Sequence, residues 1–214
     1  MLNLKKFLSR SLLAVALGAC AGVFAAPVYH VTIDTSTLGN SSAVLDLELG
    51  ALTGNAAPVT ATLNHFMGAY GASDFSGSAS GAIGSSVRLV NDAGYSGLLQ
   101  SIILGGLFSF DLSFDVGTGG LDGSSFTAML YNADSSATLG MDTPLVQIDL
   151  MPGQADVVAP ANAFASATAV PEPSTLLSMV TGLACWASVC VAAHADPASP
   201  REKAACPGRG RRLF

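Results

Sequence analysis

The chain has 214 residues, half of them hydrophobic and only 11% charged, with a formal net charge of −6. A soluble globule ordinarily carries about 25% charged residues, and here much of the apolar excess sits in the two end segments. Charge is also unevenly spread. Residues 26–170 hold twelve acidic side chains and one basic one, Arg88, and the other eight bases flank them. Such an acidic middle excludes nucleic acid as its partner, because binding phosphates needs a basic footprint. All four cysteines, Cys20, Cys185, Cys190 and Cys206, fall outside 26–170. That stretch therefore has no disulfide, thiol nucleophile or cysteine zinc site and must stand on its apolar core.

Residues 1–25 have the layout of a signal peptide. Lys5, Lys6 and Arg10 supply the positive start, and the apolar run Ser11 to Ala19 is too short to span a bilayer. Cleavage is expected after Ala25. Ala26 is the less favoured site, because Pro27 follows it. An alternative is lipidation at Cys20, since Leu17-Gly18-Ala19-Cys20 has the form of a bacterial lipobox.

Alternation of apolar and polar residues dominates from Tyr29 onward. Tyr29, Val31 and Ile33 share a face, as do the alternate residues of 43–49, and Val59, Ala61 and Leu63 share another. In Phe108 to Asp115 four apolar residues alternate with four polar ones, the pattern of a half-buried antiparallel strand. Phe126, Ala128 and Leu130 repeat the period, and so do Val146, Ile148 and Leu150. The run Leu98 to Leu107 predicts a buried central strand. Glycine-rich breakers separate these elements, so residues 26–154 are expected to form an all-β, antiparallel β-sandwich or jelly-roll-like domain. Residues 68–84, nearly all Gly, Ala and Ser around Tyr70, Asp74 and Phe75, predict a long surface loop, and 155–169 a linker.

The C-terminal region has three parts. Val170-Pro171-Glu172-Pro173-Ser174-Thr175 comes first, its prolines keeping the segment extended. An apolar stretch over 174–193 follows, long enough as a helix to span the hydrocarbon core. A basic tail, 194–214, ends with Arg209, Arg211 and Arg212, which the positive-inside rule keeps in the cytoplasm with the front lysines, so the middle lies outside. This arrangement resembles the PEP-CTERM sorting signal of Gram-negative bacteria. The resemblance implies that Val170 to Thr175 are read by exosortase after signal peptidase has acted. It further implies that the tail is removed and the protein released to the cell surface or the extracellular space, in bacteria that make exopolysaccharide and biofilms. The opening YHVTIDTSTL and the later FSFDLSFD look like a recurring group of such proteins, which implies a β-rich exported domain and no particular activity.

Residues of chemical interest are sparse in 26–170. His30 falls on the polar side of its strand. His65 shares the parity of Leu63 and Val59, which predicts an inward side chain. No G-x-S-x-G elbow or H-E-x-x-H pattern accompanies them. The pairs Asp46/Glu48 and Asp111/Asp115 alternate with core residues and so point to solvent. Tyr70, Tyr95 and Tyr131 could stack on sugars. Calcium is the only cofactor suggested, at the loop between Asp115 and Asp122 or the turn at Asn91-Asp92, and no EF-hand pattern supports it. The expectation is a non-enzymatic structural or adhesive protein of the envelope or matrix, with exopolysaccharide as a candidate partner. The alternatives are a carbohydrate-binding module and a secreted hydrolase using His30 or His65.

Overall fold

The computed structural model describes residues 26–170. The signal segment up to Ala25, the sorting residues Pro171 to Thr175, the expected membrane helix and the basic tail lie outside them. Twelve strands run through the described residues: β1 (Val28–Asp34), β2 (Ser42–Ala51), β3 (Val59–Met67), β4 (Tyr70–Gly77), β5 (Ser80–Gly81), β6 (Ser86–Val90), β7 (Tyr95–Ile103), β8 (Leu107–Val116), β9 (Ser124–Asn132), β10 (Val146–Leu150), β11 (Val157–Val158) and β12 (Ala165–Val170). A 3₁₀ turn, Asn91–Ala93, joins β6 to β7.

These strands build two six-stranded antiparallel sheets, ordered β12-β1-β8-β3-β6-β5 and β11-β10-β9-β2-β7-β4. The described residues are all-β, a β-sandwich. Its pairing is nested: β1 pairs with β8, β2 with β7 and β3 with β6, as if one long hairpin were folded over itself. The alternation in the sequence is why the faces close. Val31, Ile33, Leu63, Phe110 and Leu112 from the first sheet and Leu45, Leu47, Leu98, Phe126 and Ile148 from the second are all fully buried. Each such side chain contributes about 1.5–3 kcal/mol on leaving water. Phe114 of β8 meets Phe126 of β9 edge-on across the sandwich, with ring centroids 6.1 Å apart.

Asn91 ties the sheets together where the chain crosses between them. Its Oδ1 accepts the Val59 N–H at 2.7 Å, and its amide donates to the Ala57 carbonyl at 2.9 Å and the Ser124 hydroxyl at 2.7 Å. Thr35 does a similar job at the β7–β8 turn. It is fully buried, its hydroxyl donates to the Gly106 carbonyl, and the same oxygen accepts from the Gly105 and Gly106 N–H groups.

Three segments depart from the sequence expectation. Residues 68–84 are not a loop but carry β4 and β5. Small side chains suffice because the backbone ladder to β7 supplies the bonds, and Tyr70 and Phe75 pack against the core. Residues 155–169 are not a free linker. β11 extends the second sheet and β12 pairs with β1 from Ile33↔Ala165 to Val28↔Val170. The Tyr29 hydroxyl also donates to Asp156 at 2.7 Å. Finally, Leu98 to Leu107 is not one buried strand. It breaks at a turn after Ile103, and Leu99, Ile103 and Leu107 face outward.

Replacing Asn91 by Ala leaves a buried N–H, a buried carbonyl and a buried hydroxyl short of a partner. The expected loss is about 2–4 kcal/mol in denaturant unfolding, with the strand signal retained in far-UV spectra. Amide hydrogen exchange tests the reassignment of the 155–169 segment: the inward N–H groups of β12 should be protected alongside those of β1, whereas a linker would exchange at unfolded-chain rates.

Candidate functional site

The polar face of the first sheet gathers every cationic or imidazole side chain of residues 26–170. β1 places His30 outward, directly opposite Asp111 on β8, and Asn64 on β3 lies on the other side of Asp111. A bulge in β3 between Asn64 and Met67 then breaks the period of two. His65, in the bulge, takes a positive φ of 52°, uncommon for a residue other than glycine. Its side chain turns outward and is 79% exposed, so the inward position expected from parity with Leu63 is corrected. His30 and His65 thereby flank one carboxylate, their Nδ1 atoms 2.7 Å from Oδ1 and 2.8 Å from Oδ2 of Asp111. An ionised carboxylate only accepts, so both Nδ1 atoms carry the proton and both Nε2 atoms are left to face other groups.

Partial burial pushes the Asp111 carboxyl up, but the hydrogen bonds and charges of His30 and His65 together outweigh it and hold its pKa below the ordinary value. Around this group the face is hydroxylic. Thr32, Thr60, Thr62, Ser109 and Ser113 lie on it, and Arg88 of β6 donates to the Thr60 hydroxyl at 3.2 Å. The Oδ1 of Asn64 is buried without a hydrogen-bond partner. Chemically, Asp111 orients two imidazoles, which is the base half of a relay. The face is open, and a cleft of the domain lies on the other sheet.

That second sheet has a different outer face. Asp46 and Glu48 of β2 point outward, as expected, together with Asp74 and Asp149. Between them run apolar side chains, with Leu99 and Met129 on either side of Asp46 across the ladder. Burial, and then the charge of Glu48, push Asp46 up from its ordinary 3.8 to about 6. At one end of this face a cleft of ≈ 270 Å³ opens, its walls including Val44, Tyr70, Ser101, Ile103 and Ala133. A register shift in β4 between Tyr70 and Ser73 splays it from β7. Gln100 holds the irregular backbone by donating to the Gly71 and Ala72 carbonyls at 3.0 and 3.1 Å.

The remaining expected positions do not meet in one site. Tyr70 is wedged between Phe66 and Phe108, with centroids 5.7 and 5.3 Å away, and offers no open ring to a sugar. Tyr131 is half-buried, and Tyr95 is 51% exposed. Asn91 is committed to the sheet junction. Asp122 accepts the Thr53 hydroxyl at 2.6 Å, and Asp115 stands opposite Thr60 on the first sheet, so the calcium loop expected between them does not converge. Among the described residues no three His, Cys, Asp or Glu side chains are placed to hold a metal ion. Of the sorting residues only Val170 is described, as the last residue of β12. Ala26 precedes β1.

Asp46 sets a pH dependence of stability. Between pH 3.8 and about 6 the folded chain binds a proton that the unfolded chain has released, so this carboxyl destabilises the fold increasingly as pH rises through that window. Asp46→Asn should raise the thermal midpoint at pH 7–8, and the gain should vanish at the acid end of the window. Comparison with known proteins adds no relative: no family model, curated protein or solved structure matches the chain.

Proposed function

We propose that this chain is an exported, non-enzymatic structural or adhesive protein of the cell envelope or extracellular matrix, delivered by an N-terminal signal and a PEP-CTERM tail. In this reading signal peptidase acts at Ala25, and exosortase recognises Val170 to Thr175, centred on Pro171, Glu172 and Pro173. The apolar segment 174–193 anchors the intermediate in the membrane, and Arg209, Arg211 and Arg212 hold the tail inside. The mature domain then reaches the surface or the biofilm matrix, beside the exopolysaccharide.

One observation carries this reading. The first and last long strands are antiparallel neighbours, with Val28 opposite Val170. In this reading both targeting segments would join the domain at the same end of one sheet. A jelly-roll-like sandwich attached at one end leaves both outer faces open to partners, which suits a presented module. It also needs no disulfide, since the core is closed by alternating side chains alone.

A hydrolase is the second reading, and the pair of imidazoles on Asp111 is what favours it. It would use His65 as a general base oriented by Asp111. It also needs a substrate cleft and a nucleophile beside that histidine, whereas the cleft of ≈ 270 Å³ is on the opposite sheet.

The test is mass spectrometry of the mature protein from native cells, resolving both terminal peptides. The expected product starts at Ala26 and ends near Pro171 to Pro173. Retention of Arg211 and Arg212 would overturn processing through the tail, and lipid on Cys20 would make the protein a lipoprotein.

A further inference from the structure

The outer face of the second sheet combines two features that belong to one kind of ligand. The cleft, walled by Val44, Ile103 and Ala133 with the hydroxyls of Ser42 and Ser101 at its edge, is more apolar than polar, and Ile103 is 49% exposed. Along β2 from Val44, the next outward residues are Asp46 and Glu48. Neither acid has a basic neighbour in the domain, because Arg88 and both histidines are on the other sheet. The ion pairs among the described residues belong to Asp111. Asp46 is moreover half-sheltered between Leu99 and Met129, where an opposite charge is screened less than at an open surface.

Spacing selects the ligand further. Outward residues of a strand recur every ~6.8 Å, so cleft, Asp46 and Glu48 form a row with that step. A second extended chain has the same step between side chains on one side.

We propose that this row is a docking face for an extended, basic polypeptide segment, with a bulky apolar side chain seated in the cleft and Lys or Arg two and four residues further on over Asp46 and Glu48. The partner is a protein segment of apolar-x-basic-x-basic pattern. A small organic cation would satisfy one acid and leave the other bare. Charge gives the face its selectivity, since basic segments are drawn to a domain whose excess is acidic. The apolar anchor fixes the register. This proposal concerns the domain's partner and does not depend on how the chain ends are processed.

Fluorescence anisotropy with the full chain and a labelled peptide, Gly-Phe-Ser-Arg-Ser-Arg-Gly, tests it at neutral pH and low salt. Two control peptides replace either the phenylalanine by glycine or both arginines by glutamine. The expected result is saturable binding of the complete peptide only. Affinity should fall about tenfold in the Asp46→Asn/Glu48→Gln double variant and also in Ile103→Ser. Asp46→Asn should if anything stabilise the fold, so lost binding there reports the face itself, and a thermal melt of each variant checks this. The proposal is overturned by no saturable binding, by unchanged affinity in the double variant, or by equal binding of the peptide lacking phenylalanine. The last would mean general attraction to an acidic domain. Binding of the arginine-free peptide alone would identify the cleft as a site for an uncharged apolar ligand and would likewise overturn it.

Discussion

The two sheets are held in one arrangement by a buried amide. Asn91 sits where the chain leaves β6 for β7, and its side chain bonds the β3 backbone on one sheet and Ser124 of β9 on the other. Hydrophobic burial presses the sheets together without direction. A buried polar group, in contrast, is costly unless its partners are in place, so Asn91 selects one offset between the sheets among those the apolar faces would tolerate. Thr35 repeats the device at the β7–β8 turn. Everything outside the core, including which side chains meet on each outer face, inherits that offset.

From this constraint follow two unlike surfaces. The first sheet presents hydroxyls with Arg88, His30 and His65, and its central acid, Asp111, is shared between two imidazoles. The second presents Asp46, Glu48, Asp74 and Asp149 among apolar side chains, with no base beside them. The irregularities are local and each has a consequence. A bulge in β3 brings His65 to Asp111, and a register shift in β4, held by Gln100, opens the cleft. Regular pairing builds the scaffold here, and departures from it build the sites.

Much of the scaffold was legible in the sequence. Strict alternation in 43–49 and 108–115 predicts strands half-buried on one face, and β2 and β8 have that burial pattern. Alternation failed at His65, because a bulge adds a residue without any signature in the side chains and reverses the parity beyond it. It failed also at 68–84 and 155–169. Composition there suggests loops, yet strands at the sheet edges need only backbone bonds and a few anchors, such as Phe75 packed on the core and the Tyr29–Asp156 bond. Neither site could be found from spacing alone, since Asp111 lies far along the chain from both histidines, and Val44 and Tyr70 come from different strands.

By itself the sequence determined the all-β class, the inward faces of the long strands, the acidic character of the middle and the absence of disulfide support within it. These are properties of composition and of the period of two, which local chain geometry imposes whatever the neighbours. Tertiary structure alone decided that the last strand, β12, lies beside β1, that two histidines share Asp111, and that Asp46 is sheltered enough to titrate near pH 6. Each of these depends on which strands become neighbours, and that choice is made by long-range packing and backbone pairing, to which no short stretch of sequence has access.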